Sequence, residues 1–83
     1  MTALIQKTIQ NHEDFVVEFS YRDSKGKKTR RVVSPIRFIG TDRFLGLCLS
    51  REEPRQFYLN RCDAMEIQPA NNYLMPLEAV EVD

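Results

Sequence analysis

The sequence predicts a small, mainly β domain: a strongly bent five-stranded sheet or barrel with a short N-terminal helix. Three observations predict it. The chain has 83 residues, enough for one domain and no second core. Apolar residues alternate with polar ones at period two over several short runs. Turn-forming residues recur every eight to twelve positions between those runs, as in small barrels and sandwiches.

The first element is a helix within residues 1–12. Thr2 is placed to cap it, Leu4, Ile5 and Ile9 fall on one stripe, and Gln6, Lys7 and Gln10 face outward. About ten residues make a marginal helix alone, so the stripe must dock on something. His12 is expected to cap the last carbonyls. From Asp14 the period changes: Phe15, Val17, Phe19 and Tyr21 alternate with Val16, Glu18 and Ser20, a half-buried strand. Asp23, Ser24, Lys25 and Gly26 close a hairpin.

The return strand runs from about Thr29 to Ser34, where Pro35, lacking an amide hydrogen, is expected to interrupt the ladder and bend the chain. Ile36, Phe38 and Ile39 begin a further strand, and Gly40, Thr41 and Asp42 turn it. Phe44 to Leu49, apolar on both faces, predicts a central strand. After a charged loop over 50–54, Arg55, Phe57 and Leu59 alternate with Gln56 and Tyr58. Residues 60–63 form a corner, and Met65 and Ile67 a last short strand. Residues 14–68 thus make the sheet or barrel, and 69–83 a loosely attached tail of the same single domain.

Charge and cysteine content narrow the function. Twelve basic and twelve acidic residues cancel overall, yet from Arg22 to Arg61 eleven basic residues face four acids. This basic middle can attract phosphate or carboxylate groups, unless folding interleaves the signs. The N-terminus lacks the apolar run of a secretory signal, and Phe44–Leu49 is far too short to span a bilayer, so a cytoplasmic protein without membrane attachment is expected. Cys48 and Cys62 are too few for a zinc site and read as reduced and structural. A single histidine and three glycines leave no nucleophile–base motif and no phosphate-cradling loop, so neither catalysis nor a cofactor is expected.

Binding is better supported. Residues 51–61 interleave Arg51, Arg55 and Arg61 with Phe57 and Tyr58, and arginine beside an aromatic can hold a phosphate while the ring stacks on a base. The competing reading makes Phe57 and Leu59 core, Tyr58 a plain surface residue, and pairs the arginines with Glu52, Glu53 and Asp63. Arg30 and Arg31 point to opposite faces of their strand, so at most one joins a given patch.

The series Val33, Ser34, Pro35, then Arg43 to Cys48, then Arg55, Gln56, Phe57, Tyr58, Leu59, Asn60, Arg61 resembles the WYL domain of bacterial transcription regulators. Phe19, Ser20 and Tyr21, with the turn at Lys25 and Gly26, extend the resemblance over roughly residues 4–68. It implies an Sm-like or SH3-like barrel, usually joined to a helix-turn-helix, that senses ligands including single-stranded nucleic acid or nucleotide-like effectors. By this resemblance the chain is expected to be a divergent, standalone form. Arg43, Phe44 and Leu45 stand where the family has Trp, Tyr and Leu, and Tyr58 replaces a basic position, while Arg55 and Arg61 keep the later motif's cations.

Read together, these features predict a non-catalytic sensing or accessory module linked to transcription. Arg55 and Arg61 would bind an anionic ligand, a nucleotide or single-stranded nucleic acid, with Phe44 and Tyr58 stacking and Arg31 and Arg43 adding positive potential. A DNA-binding partner protein is then expected. The alternative is a protein-interaction or self-association module that uses a strand edge or the apolar tail residues Leu74, Met75, Leu77, Val80 and Val82.

Overall fold

Alternation of large apolar side chains in the first strand decides the architecture, because it gives the sheet one face that must be covered. In the computed structural model, which describes residues 1–73, the order is α1 (Thr2–Gln10), β1 (Phe15–Arg22), β2 (Lys28–Ile39), β3 (Arg43–Cys48), β4 (Glu53–Tyr58), a 3₁₀ turn (Leu59–Arg61) and β5 (Cys62–Pro69). The protein is mainly β, a single five-stranded antiparallel sheet with one short N-terminal helix. Its strand order is β4-β3-β2-β1-β5.

One face of the sheet carries the core. Val17, Phe19 and Tyr21 of β1, Val33 of β2, Phe44 of β3 and Phe57 of β4 are buried there with Ile5 of α1 and Cys62 of β5. The four rings form a continuous cluster: Phe19 meets Tyr21, Phe44 and Phe57 edge-on at 5.4–6.2 Å, and Phe44 stacks on Phe57 at 5.5 Å. Such pairs add about 0.5–1.5 kcal/mol each beyond area burial. The sheet curls enough for Tyr21 of β1 to reach Phe57 of β4 at 5.2 Å across two intervening strands.

The helix docks as its stripe requires, with Ile5 buried and Leu4 and Ile9 half-buried. Its caps differ from the expectation. Thr2 is the first helical residue and makes no capping bond, and at the far end it is Asn11, not His12, whose backbone N–H and Nδ2 donate to Lys7 O. Asparagine is the shorter amide and reaches back over one turn, while His12 stays exposed.

Pro35 does not end its strand. β2 runs on through it to Ile39 and changes register between Pro35 and Arg37. The β1–β2 ladder already stops at Val17–Val33, so the missing amide hydrogen deprives β1 of no bond. The middle strand is therefore the long β2, with the apolar β3 beside it between β2 and β4. β4 and β5 end the sheet, and no ladder joins them among the described residues. In β5 an extra residue against β1 accompanies Ala64 at φ 53°, a bulge that bends this edge. Of the segment 69–83, Ala70 is buried and its N–H donates to Asp14 O, while 74–83 lie outside the described residues.

The β1–β2 hairpin is built on Asp23. Its Oδ1 accepts the backbone N–H groups of Lys25 and Lys27, both at 2.9 Å, and Gly26 takes φ 86°, which side chains disfavour. The Lys27 amide is the main cause holding the Asp23 carboxyl below its usual range, so its contribution to stability is present above the unfolded pKa and lost as pH falls through the folded one. Asp23→Ala should lower the melting temperature at pH 7 and speed amide exchange at Lys25 and Lys27. Unchanged exchange at both would contradict this role. Among the described residues no helix is long and apolar enough to cross a membrane.

Candidate anion-binding site

The β3–β4 hairpin register sets Arg43 directly opposite Tyr58. With this strand alternation the pair points away from the neighbouring core pair Phe44–Phe57. The chain then closes into the 3₁₀ turn, which returns Arg61 beside the same ring. Both guanidinium carbons lie near the Tyr58 ring centroid, Arg43 at 5.4 Å and Arg61 at 5.5 Å. Tyr58 itself is 39% exposed. An open ring flanked by two cations is thus the most concentrated arrangement of the residues that the sequence singled out.

Backbone bonds hold this corner in place. The Tyr58 N–H donates to Tyr21 Oη at 3.1 Å, the Leu59 N–H to Asp42 O at 2.8 Å, and the Cys62 thiol to Tyr58 O at 3.4 Å. Burial pushes the Cys62 thiol up to about 12, so it stays protonated and keeps donating at any physiological pH. Arg43 is oriented by Gln56 Oε1 at 3.1 Å and Asp42 Oδ1 at 3.3 Å. Asp42 is well exposed, and an ion pair of this kind is worth at most about 1 kcal/mol, little against a multiply charged ligand.

The other expected residues lie elsewhere. Phe44 is 0% exposed within the ring cluster and offers no surface for a base, because its register opposite Phe57 and Phe38 turns it inward. Arg55 is opposite Gly46, on the face of β4 that carries Phe57, so it projects away from Tyr58. Arg31, opposite Phe19, shares that core face; its Nε donates to Thr29 Oγ1 at 2.9 Å, and its guanidinium lies 5.9 Å from the Tyr21 ring. The pairing with Glu52, Glu53 and Asp63 is not formed. Asp63 meets Lys28 at 3.7 Å, and among the described residues Arg31, Arg51, Arg55 and Arg61 make no ion pair.

Two features went unread in the sequence. A hollow of about 170 Å³ opens between the start of β2 and the β3–β4 turn, lined by Thr29, Arg30, Arg31, Ser50 and Arg51. Beneath it Cys48 is buried with Sγ 3.5 Å from Ser50 Oγ; burial works against its thiolate, but hydrogen bonds from Ser50, the Arg51 amide and Arg31 outweigh it and hold the thiol below its usual range. The second feature is Ile36, 45% exposed, between two apolar hollows that both include Ile9 of α1. Among the described residues no group of three or more potential ligands is placed to hold a metal ion, and both cysteines are free.

Comparison with known proteins adds family to geometry. The sequence model of the WYL domain matches residues 3–67. Among solved structures, the chain is similar to proteasome accessory factor B/C (PafBC) of Arthrobacter aurescens, with a TM-score of 0.64 and 25% sequence identity. The similarity covers 83% of this chain and 11% of that chain, so this chain spans about a ninth of its length. No curated protein matches.

Proposed function

The chain belongs to the WYL domain family, and on that premise we propose that it is a non-catalytic, cytoplasmic sensing or accessory module of transcriptional regulation that binds an anionic ligand, a nucleotide or single-stranded nucleic acid. One observation carries the reading: the exposed Tyr58 ring between the guanidinium groups of Arg43 and Arg61. A base stacks on the ring while the two cations take the flanking phosphates, a division of labour suited to unpaired strands. Arg55 and Arg31, on the other face, add positive potential and further contacts as the backbone leaves the stack. A DNA-binding partner protein would couple the bound state to transcription.

A fluorescence-anisotropy titration with a short labelled single-stranded oligonucleotide tests this across a salt series. Affinity should fall with salt, log Kd changing by about 0.7 per phosphate contact for each decade of salt. Arg61→Ala should make that dependence shallower by about one contact, and Tyr58→Ala should weaken binding about 5- to 150-fold, the range for one stacked base. No saturable binding at low salt, or equal binding by Arg43→Ala with Arg61→Ala, would overturn it.

A second reading, an interaction or self-association module, has the exposed Ile36 between its two apolar hollows in its favour. The tail residues that also suggested it lie outside the described residues. Sedimentation separates the two: a species that stays monomeric at high concentration, and equally so with Ile36→Glu, removes the case for self-association.

A further inference from the structure

We propose that the hollow formed by Thr29, Arg31, Ser50 and Arg51 is a binding site for a phosphate group. This rests on the reading above and deepens it by placing a phosphate of the ligand at Arg31, away from Tyr58, but it needs none of Arg43, Tyr58 and Arg61.

The lining contains arginines and hydroxyls and no carboxylate. Arg30 is not counted among the donors, since its guanidinium is turned toward Glu18 Oε2 at 3.3 Å and Ser20 Oγ at 3.1 Å. Arg31 and Arg51 remain, and neither makes an ion pair among the described residues. Arg31 is half-buried, its Nε is tied to Thr29 and its guanidinium also bonds the Cys48 thiol, which fixes the fork and leaves the remaining terminal N–H donors for a ligand.

The opposite wall is equally ordered. The Arg51 and Glu52 amides both donate to Cys48 O, at 3.3 and 2.7 Å, Glu52 takes φ 56°, and the Leu49 N–H donates to Val32 O at 3.1 Å. These bonds clamp the β3–β4 turn against β2, so Ser50 and Arg51 face Thr29 and Arg31 across a fixed gap. The Cys48 thiol beneath, held below its usual range by hydrogen bonds from Ser50, the Arg51 amide and Arg31 against the effect of burial, is consistent with donors converging on this corner. Two guanidinium forks and two hydroxyls supply the donors that a tetrahedral oxyanion uses, and about 170 Å³ is the liquid volume of five or six waters, room for one phosphate group.

The test is an amide chemical-shift titration of the full chain with inorganic phosphate at constant ionic strength, with chloride as control. Saturable shifts centred on Thr29, Arg31, Ser50 and Arg51 are expected, and Arg51→Ala should weaken the binding about ten-fold or more, as loss of a charge-assisted hydrogen bond does. Arg51 is exposed in a turn, so this variant decides the matter even where Arg31→Ala unfolds. In a second arm, a 5′-phosphorylated oligonucleotide should bind more tightly than the unphosphorylated one, and lose that advantage in Arg51→Ala. Phosphate binding without any oligonucleotide binding would support the pocket, assign it to a small phosphorylated metabolite, and defeat the nucleic-acid reading. Shifts no larger than with chloride, or equal phosphate affinity in Arg51→Ala, would overturn the pocket and leave the Tyr58 reading standing.

Discussion

Phe57→Ala is expected to destabilise the domain by about 3–5 kcal/mol. Phe57 is almost fully buried and contacts three other rings, Phe19, Tyr21 and Phe44, within 5.5 Å. No other aromatic closes the curled sheet from its β4 end. Truncation leaves a cavity between β1 and β3 that the backbone fills only partly. A domain of 83 residues has roughly 4–12 kcal/mol of stability at the usual per-residue values. The substitution therefore removes about a quarter or more of it, and at the low end unfolds the chain at room temperature. Urea denaturation followed by circular dichroism measures the loss. A loss below about 1 kcal/mol would mean that the ring cluster does not hold β4 on the sheet.

Gly46→Ala should be the next most damaging change, by about 1–3 kcal/mol, although it adds a single methyl group. A Cβ on Gly46 would overlap Cγ1 of Val33 and press on Phe44 and the Ser34 carbonyl. The lack of a side chain there lets Val33 lean over β3 at the bottom of the core. Val33→Ala should relieve the overlap, so the double substitution should be less harmful than the two single effects added together, by at least about 0.5 kcal/mol. Strict additivity in denaturation midpoints would show that the two positions do not share space.

Much of the fold was legible because burial is one-sided. Val17, Phe19 and Tyr21 announce their strand since their face meets the core cluster while Glu18 and Ser20 stay half-buried, Val16 being the one buried residue of the opposite face, and the Asp23–Gly26 turn carries its own hydrogen-bond chemistry. Pro35 misled because the rule against proline in a strand depends on which neighbour needs the amide, and the place where β1 stops pairing is not written in the local sequence. Phe44 misled for a related reason. β3 is apolar on both faces, so composition does not say which side is inside; the register with Phe57 and Phe38 does.

The candidate site was legible as a set of residues and not as a place. Arg43, Tyr58 and Arg61 come together only through the hairpin register and the 3₁₀ turn, while the odd spacing from Tyr58 already separates Arg55 from it by strand alternation. The sequence marks Arg51 only as one of the cations of 51–61; its place beside Arg31 depends on the turn being fastened to β2.

The central claim is that the Tyr58 ring and its two flanking cations form a ligand surface. Its most direct test is an amide chemical-shift titration of the isotope-labelled chain with a short, unphosphorylated single-stranded oligonucleotide at low salt. The account predicts saturable shifts strongest at Asp42, Arg43 and from Gln56 to Arg61, abolished by Arg43→Ala with Arg61→Ala. Shifts confined to Ile36 and α1, or none at millimolar oligonucleotide, would contradict it.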